Sequence, residues 1–555
     1  MKKNYTVLFL LHLLIFSNLC FSQQVWVRNF NGSSSGDDKA YAITVDKFSN
    51  IYVTGYTTNT GTGSDFCTIK YNSNGVQQWV KYYNGPGNGE DKAYAITVDN
   101  FSNVIVAGYS TGNGSHHDFT TIKYSSNGTQ VWVERYSGPG NYDDEAHSLT
   151  VDAIGDVYVT GFIGGTTADW YTIKYRPSDG HTIWHKTYDG QGDSDDKAYA
   201  ITIDNAEGIY VTGYTTGINN FTRYTTIKYA SSDGAQRWAA NYDRRGNGDN
   251  KAYAITINRL GYVYVTGSSV GNQSSFDYAT IKYNPLTGDS IWVARYNGTG
   301  NSEDKAYAIT VDSSNYIYVT GSSRNALSDE PTAGSEDYLT IKYNSQGSTL
   351  WTSRYQGIST DIPNALFVSQ SNGALFVTGS SRHDTTAGSE DILTVKYDIS
   401  NGTQLQESRY NGPGNGTDIA YGVVMDSLNN IFLAGYQYSG TANGNDWVTM
   451  MYQRGYLVEV QTISSQVPKG FMLFQNYPNP FNPSTNIRFQ IPKTARVKVN
   501  VYDVLGREVA VLVNENMNPG TYEINFNSSL LSSGLYFCQI RTDDYRDVKR
   551  MVLIK

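Results

Sequence analysis

The chain is 555 residues long, carries a formal net charge of −9, and holds 54 Gly and 46 Tyr against only 17% charged residues. Such a composition excludes a disordered chain, supplies ample material for a core, and is that of many-stranded secreted β proteins. The acidic balance, which removal of Lys2 and Lys3 takes from −9 to −11, excludes nucleic acid and anionic membrane as partners.

In chain order, the first segment reads MKK, an apolar stretch from Val7 to Phe16, then Cys20-Phe21-Ser22 before Gln23. This is the layout of a secretory signal peptide cleaved near Ser22-Gln23, too short and wrongly flanked to anchor in a membrane. Ser17-Asn18-Leu19 lacks the small residues expected before a lipidated cysteine. The mature chain, residues 23–555 on this reading, keeps Cys67 and Cys538, in different domains, so no disulfide framework is expected.

Eight imperfect copies of one unit follow, aligned on DKAYAITVD, with starts near 38, 91, 144, 196, 250, 304, 361 and 418. Each copy holds four runs rich in Tyr, Val, Ile and Thr, separated by short polar turns. In the first copy these are Ala40 to Asp46, Ile51 to Tyr56, Asp65 to Tyr71 and Val76 to Tyr83. Four consecutive antiparallel strands per unit make one propeller blade. The last copy ends at Asp446 to Tyr452 without a fourth strand; the missing one stands upstream of the first copy, at Gln24 to Gly32. The expected fold is therefore all-β: an eight-bladed β-propeller over residues 24–452, closed by its N-terminal strand, which leaves no free sheet edge. The fourth strands carry Trp26, Trp79, Trp132, Trp184, Trp238, Trp292 and Trp351, with Leu405 at the eighth position; these tryptophans are read as interblade packing. The units resemble the SBBP-type β-propeller repeat of bacterial surface proteins. One corner of the blade, NPLTGDSIW at Asn284 to Trp292, is similar to the tryptophan-docking blades of quinoprotein dehydrogenases.

Residues 453–470 read as a linker. From Phe471 the composition changes, and seven strand-like runs in the last 85 residues read as a small Ig-like β-sandwich, residues 471–555. The run Tyr477-Pro478-Asn479-Pro480-Phe481-Asn482-Pro483, followed by VYDVLGREV and SGLYF, resembles the type A C-terminal sorting domain of the type IX secretion system. That resemblance implies a partner, the type IX secretion machinery, acting through residues 471–555. It also implies export through the periplasm to the outside of a Bacteroidetes-like cell, with the protein secreted or held on the outer cell surface.

Recurrent polar residues favour structure over chemistry. Lys70, Lys123, Lys174, Lys228, Lys282, Lys342 and Lys396 recur in the third strands; Asp46, Asp99, Asp152, Asp204, Asp312 and Asp426, with Asn258, end the first strands. A repeated Lys to Asp pair joining blades is the simplest account, because a buried charge needs a partner. Lys39, Lys92, Lys197, Lys251 and Lys305 are expected near the channel mouth on the opposite face, paired with neighbouring carboxylates.

On that loop face the copies diverge. The separation from Gly321 to Asp337 is 16 residues and from Gly379 to Asp391 is 12, against 8 to 11 elsewhere. Variable loops on a rigid scaffold are where binding specificity resides. The ligand-contact candidates are accordingly Arg324, Asp329, Glu330, Glu336 and Asp337 in the sixth copy, and Arg382, His383, Asp384, Glu390 and Asp391 in the seventh. Loops such as Asp189 to Asp196 are rich in oxygen ligands but lack the DxDxDG calcium spacing, and His116-His117 lacks an assignable third ligand. No cofactor is predicted; calcium in these loops stays open as an alternative that the spacing does not support. No catalytic residue stands out, and no adjacent Cys pair or asymmetric Glu and Asn cluster supports a quinoprotein. The expected function is a monomeric binding or structural propeller with a surface glycan or protein as ligand. The alternative is an extracellular enzyme on the same scaffold, a quinoprotein-like oxidoreductase or a polysaccharide-active hydrolase or lyase.

Overall fold

The computed structural model describes residues 24–555 except 115, 193, 244–247, 272–273, 300, 325–335, 358, 383–387, 442–443, 453–459, 465, 505, 507, 529–530 and 543. The signal-peptide reading therefore falls outside the described residues. Those described are all-β: strands, turns and one 3-10 turn at Gln370–Asn372. The chain divides into two compact parts, one of residues Gln24–Gln453 and one that includes Arg454–Lys555.

The first part is propeller-like, built of eight open four-stranded antiparallel sheets. In the first repeat the strands are Lys39–Val45, Ile51–Asn59, Gly63–Tyr71 and Gln77–Tyr83. Second strands are buried along nearly their whole length, as Val157–Ile163 shows, because sheets on either side cover both faces. The β-branched and aromatic residues that dominate them suit such positions. Threonines in these strands stay satisfied: Thr54 Oγ1 meets Thr68 Oγ1 at 3.0 Å and donates to the Cys67 carbonyl at 3.0 Å, and the same pairing recurs at Thr212 and Thr226. First strands of successive repeats lie side by side, and that of the eighth lies against that of the first.

The eighth sheet draws its fourth strand from the N-terminus: Gln24–Phe30 pairs antiparallel with Asn445–Tyr452, Phe30 opposite Trp447 and Val27 opposite Met450. Trp26 is 7% exposed and lies between Tyr71 and Phe432, with centroids 6.2 and 6.1 Å away. Its indole rests on Gly75, whose φ of +72° and missing side chain admit it; a Cβ there would stand 2.7 Å from the ring.

Adjacent sheets are clipped together in a way the sequence did not suggest. In five joints the third-strand Lys and fourth-strand Trp of one repeat donate to a single carbonyl in the next repeat's turn. Lys174 and Trp184 reach the Ser231 oxygen at 3.0 and 2.9 Å, and Lys228 and Trp238 reach that of Pro285 at 2.9 and 3.1 Å. Lys to Asp pairs form at Lys123 with Asp99 (3.1 Å) and at Lys228 with Asp204 (3.7 Å), but each lies within one repeat and so does not join blades as expected; Lys174 pairs with Asp156, also in its own repeat. The first-strand Asp instead closes its own turn. Asp46 accepts the Phe48 and Asn50 amides at 2.9 Å and the Tyr52 hydroxyl at 3.0 Å, an Asx-type turn.

The second part packs two four-stranded sheets on one core that includes Phe481, Phe489, Val501, Phe526 and Met551. The strand Ser484–Ile491 alternates buried and exposed positions toward that core. Within the stretch read as a linker, Val460–Ser464 is a strand paired with Gly520–Asn527. Its place is set by a partner some sixty residues away, which no local pattern displays. The Tyr477 to Pro483 run ties the sheets together. Tyr477 bridges to Asn486 in one sheet, and Phe481, 2% exposed, bridges to Leu553 in the other.

Candidate functional site

Every first strand carries a bulge at the same place. In the first repeat Ala40 faces Gly55 and Ala42 faces Thr54, so Tyr41 has no partner across the sheet. The bulge presses the Lys39 carbonyl to within 1.9 Å of where a Cβ on Gly55 would stand, which accounts for the glycine of each TG or AG pair. A bulge re-aims the extra side chain, here Tyr41, Tyr94, His147, Tyr199, Tyr253, Tyr307, Asn364 and Tyr421. Seven of these rings form a continuous arc. Tyr421 meets Tyr41 at 5.4 Å and Tyr41 meets Tyr94 at 5.4 Å; His147 follows at 6.0 Å, Tyr199 at 5.5 Å, Tyr253 at 5.8 Å and Tyr307 at 6.2 Å. Burial pushes the Tyr41 and Tyr199 phenols up to about 12, so they remain neutral hydrogen-bonding groups.

Two residues before each bulge stands Lys39, Lys92, Glu145, Lys197, Lys251, Lys305, Ile362 or Ile419. Three lysines pair with carboxylates two residues back: Lys39 with Asp37 (3.8 Å), Lys92 with Glu90 (2.7 Å) and Lys305 with Glu303 (2.8 Å). Lys197 lies over Phe162 at 4.0 Å and Lys251 over Tyr214 at 4.6 Å. Among the described residues, neither has a carboxylate within ion-pair distance.

The third repeat departs from the others. Glu145 replaces the lysine and His147 the tyrosine. The Glu145 carboxylate meets His147 Nε2 at 3.3 Å and His117 Nδ1, from the second repeat, at 3.6 Å. His117 stacks on Tyr109 at 3.8 Å and also faces Asp143 at 3.5 Å. Burial would raise the Glu145 pKa, but pairing with His117 and His147 outweighs it and holds it down to about 2. Burial likewise opposes protonation of His117, and Glu145 with Asp143 outweighs it, raising its pKa. The signal was present in the sequence as a departure from Lys and Tyr at positions 145 and 147, but it means something only once the bulge shows where they point.

The loop candidates of the sixth and seventh repeats are absorbed by internal pairs where they are described. Arg324 faces Glu336 across the hairpin at 3.5 Å, and Arg382 binds Glu390, which also accepts from Thr417 at 2.6 Å. Asp337 meets Arg354 at 2.8 Å and Asp391 meets Arg409 at 3.4 Å. Asp329, Glu330, His383 and Asp384 lie outside the described residues. The Asp to Arg pair between third and fourth strands recurs at Asp277 with Arg295 and at Asp118 with Arg135, so it is a scaffold feature. Arg135→Leu would leave Asp118, 5% exposed, without its cation. A loss of about 3 kcal/mol is expected, read from chemical denaturation midpoints; an unchanged midpoint would contradict the assignment.

One carboxylate trio, Asp169, Asp189 and Asp196, brings ligand atoms within 4.8 Å of one another. Two of these residues belong to the oxygen-rich loop noted in the sequence. Both Asp196 oxygens already accept backbone amides, from Gly190 and Thr216.

The fold defines the class: a β-propeller-like repeat protein with a smaller all-β C-terminal part. Residues 475–555 match the secretion system C-terminal sorting domain family, and residues 25–61 and 291–326 match the SBBP β-propeller repeat family. The chain thus joins SBBP-type repeats to a type IX sorting domain. No curated protein matches the chain. Among solved structures, it is similar to the quinohemoprotein alcohol dehydrogenase of Comamonas testosteroni at 10% identity and a TM-score of 0.50, covering 82% of this chain and 79% of that one. The quinohemoprotein alcohol dehydrogenase ADHIIG of Pseudomonas putida HK5 gives 10% identity, 0.49, 82% and 79%. PorZ, a surface component of the type IX secretion system of Porphyromonas gingivalis, gives 14%, 0.33, 92% and 74%. The first likeness is one of fold.

Proposed function

We propose that this is an extracellular binding protein: an eight-bladed propeller of residues 24–452, closed by its N-terminal strand, that seats a ligand at the mouth of its axial channel. The C-terminal residues 471–555, a small Ig-like sandwich, are its address for the type IX machinery, and the mature protein is released or held on the cell surface. Pairing of Gln24–Phe30 with Asn445–Tyr452 supports closure. The observation that carries the binding reading is the bulge repeated in all eight first strands, which gathers seven aromatic rings into one arc. Neutral phenols and half-buried ring faces suit the hydroxyl and C–H surfaces of a saccharide. Glycan-array screening of the mature chain tests it: binding should fall on combined Tyr199→Ala and Tyr253→Ala substitution, and a double variant that binds as the parent does would refute this placement.

Export is tested separately. A chain lacking residues 471–555 should accumulate in the periplasm, and its normal appearance outside the cell, followed by immunoblotting of fractions, would sink the sorting assignment.

The third repeat favours one second reading. Among the described residues, its His117, Glu145 and His147 cluster breaks the repeated pattern of Lys and Tyr along the arc with a set of interacting titratable groups, as an enzyme on this scaffold would require. Loss of a saccharide-cleaving activity on Glu145→Gln substitution, with binding retained, would decide for it.

A further inference from the structure

We infer that the channel mouth holds an anion subsite at Lys197 and Lys251, which takes the sulfate, phosphate or carboxylate group of an acidic saccharide. This rests on the binding reading above and specifies its ligand class.

The five mouth lysines are alike in sequence and differ in what neutralises them. Glu90 and Glu303 reach Lys92 and Lys305 at 2.7 and 2.8 Å, and Asp37, while accepting from Asn445 through one oxygen, keeps the other 3.8 Å from Lys39. The corresponding carboxylates before Lys197 and Lys251 turn away: Asp195 accepts the Ala168 amide at 3.0 Å, and Asp249 accepts the Thr222 amide at 3.0 Å and its hydroxyl at 3.1 Å. All five ammonium groups lie over ring faces, Lys197 over Phe162 and Lys251 over Tyr214 as Lys39 does over Tyr436, but among the described residues only Lys197 and Lys251 do so with no carboxylate within ion-pair distance. A cation on a ring face is oriented yet keeps its hydrogen-bond donors for another acceptor.

The two lysines are also neighbours. Tyr214, the ring under Lys251, pairs directly across the sheet with Lys197. Tyr199 meets both Tyr214 and Tyr253 at 5.8 Å, so this sector of the arc lies immediately beside the lysines. A sugar stacked on the tyrosines would place a charged substituent within reach of two cations. The net charge of −9 repels polyanions from the molecule as a whole, so capture of one must come from a local site of this kind.

The test is calorimetric titration of the mature chain with a sulfated glucan oligosaccharide and its unsulfated counterpart. Wild type should bind the sulfated form roughly tenfold or more tightly than the neutral one. Combined Lys197→Gln and Lys251→Gln should remove that advantage, while combined Lys39→Gln and Lys92→Gln should keep it. Undiminished binding of the sulfated form by the Lys197 and Lys251 variant would overturn the subsite. Equal binding of both glucans by wild type would also overturn it, yet leave the saccharide reading standing. Failure of wild type to bind either glucan overturns the subsite, and the array with the Tyr199 and Tyr253 variant then decides the binding reading by itself.

Discussion

A chain that begins after Phe30 should lose cooperative unfolding of everything up to Tyr452 and aggregate on expression. Removal of Gln24–Phe30 strips the outer strand from the eighth sheet and bares the backbone donors and acceptors of Asn445–Tyr452 as a sticky edge. It also removes Trp26 from its site between Tyr71, Gly75 and Phe432. Loss of a buried tryptophan alone costs about 3–5 kcal/mol, comparable to half the stability of an ordinary domain. Arg28 goes as well, with its bonds to the Gly75 carbonyl at 2.6 Å and that of Asn74 at 3.3 Å. The same strand moved to follow Tyr452, joined by the first repeat's own turn Asn72 to Val76, should restore wild-type melting. Should the truncated chain melt at the parental midpoint, the N-terminal strand does not close the fold.

The second large effect is with pH. At the start of each first strand sits a buried residue, Asp38, Asp91, Asp144, Asp196, Asn250, Asp304, Asp361 or Asp418, each at most 1% exposed. Asp144, for example, accepts the amides of Gly138 and Gly164. Burial nevertheless dominates and raises all seven carboxyls, with Asp144, Asp196, Asp361 and Asp418 pushed up to about 6. A pKa raised by folding means that the native state binds the extra proton between the unfolded value of 3.8 and the native one. Stability from that source is full below the unfolded value and lost as pH rises through about 6. His117, also raised, acts in the same direction above its unfolded value of 6.5.

Asp46, Asp99 and Glu145 are lowered and oppose this trend, but their contribution is full above their unfolded values and lost only as pH falls toward their folded ones. The first part should therefore be more stable at pH 5 than at pH 8. With about 1 kcal/mol for each of the four carboxyls pushed up to about 6, its melting temperature should be higher by about 5 °C at pH 5 than at pH 8. A flat or rising profile over that interval, in scanning calorimetry, would show that these carboxyls are not strained. The fifth repeat has already neutralised the position, with Asn250 in place of Asp.

Much of the scaffold was legible in the sequence because each feature is local and repeated. Four strand runs per copy and the displaced strand at Gln24 to Gly32 read directly from the alignment of the copies. The bulge did not, because AYAITV reads as an unbroken apolar run whether or not one residue drops out of register. That single step turns Tyr41 and its counterparts into the arc, and it explains why Glu145 and His147 were invisible as a site. The third-strand lysines were misjudged for another reason. Five of them bond to a carbonyl in the next copy, and sequence shows side-chain charges but not which backbone oxygen a fold brings near.

Those shared carbonyls have an evolutionary consequence. One half of each joint, the Trp and Lys, is encoded about 50 residues before the other half, the turn that receives them. Because the same joint recurs from copy to copy, an in-phase duplication of one copy-length of DNA, wherever it begins, supplies a matching half at both new boundaries. Chemistry at the joints therefore places no limit on copy number. Pairing does: the last copy must still meet Gln24–Phe30, and on the closed-ring reading proposed above a gain or loss of one copy is tolerated only if every joint shares the change in angle.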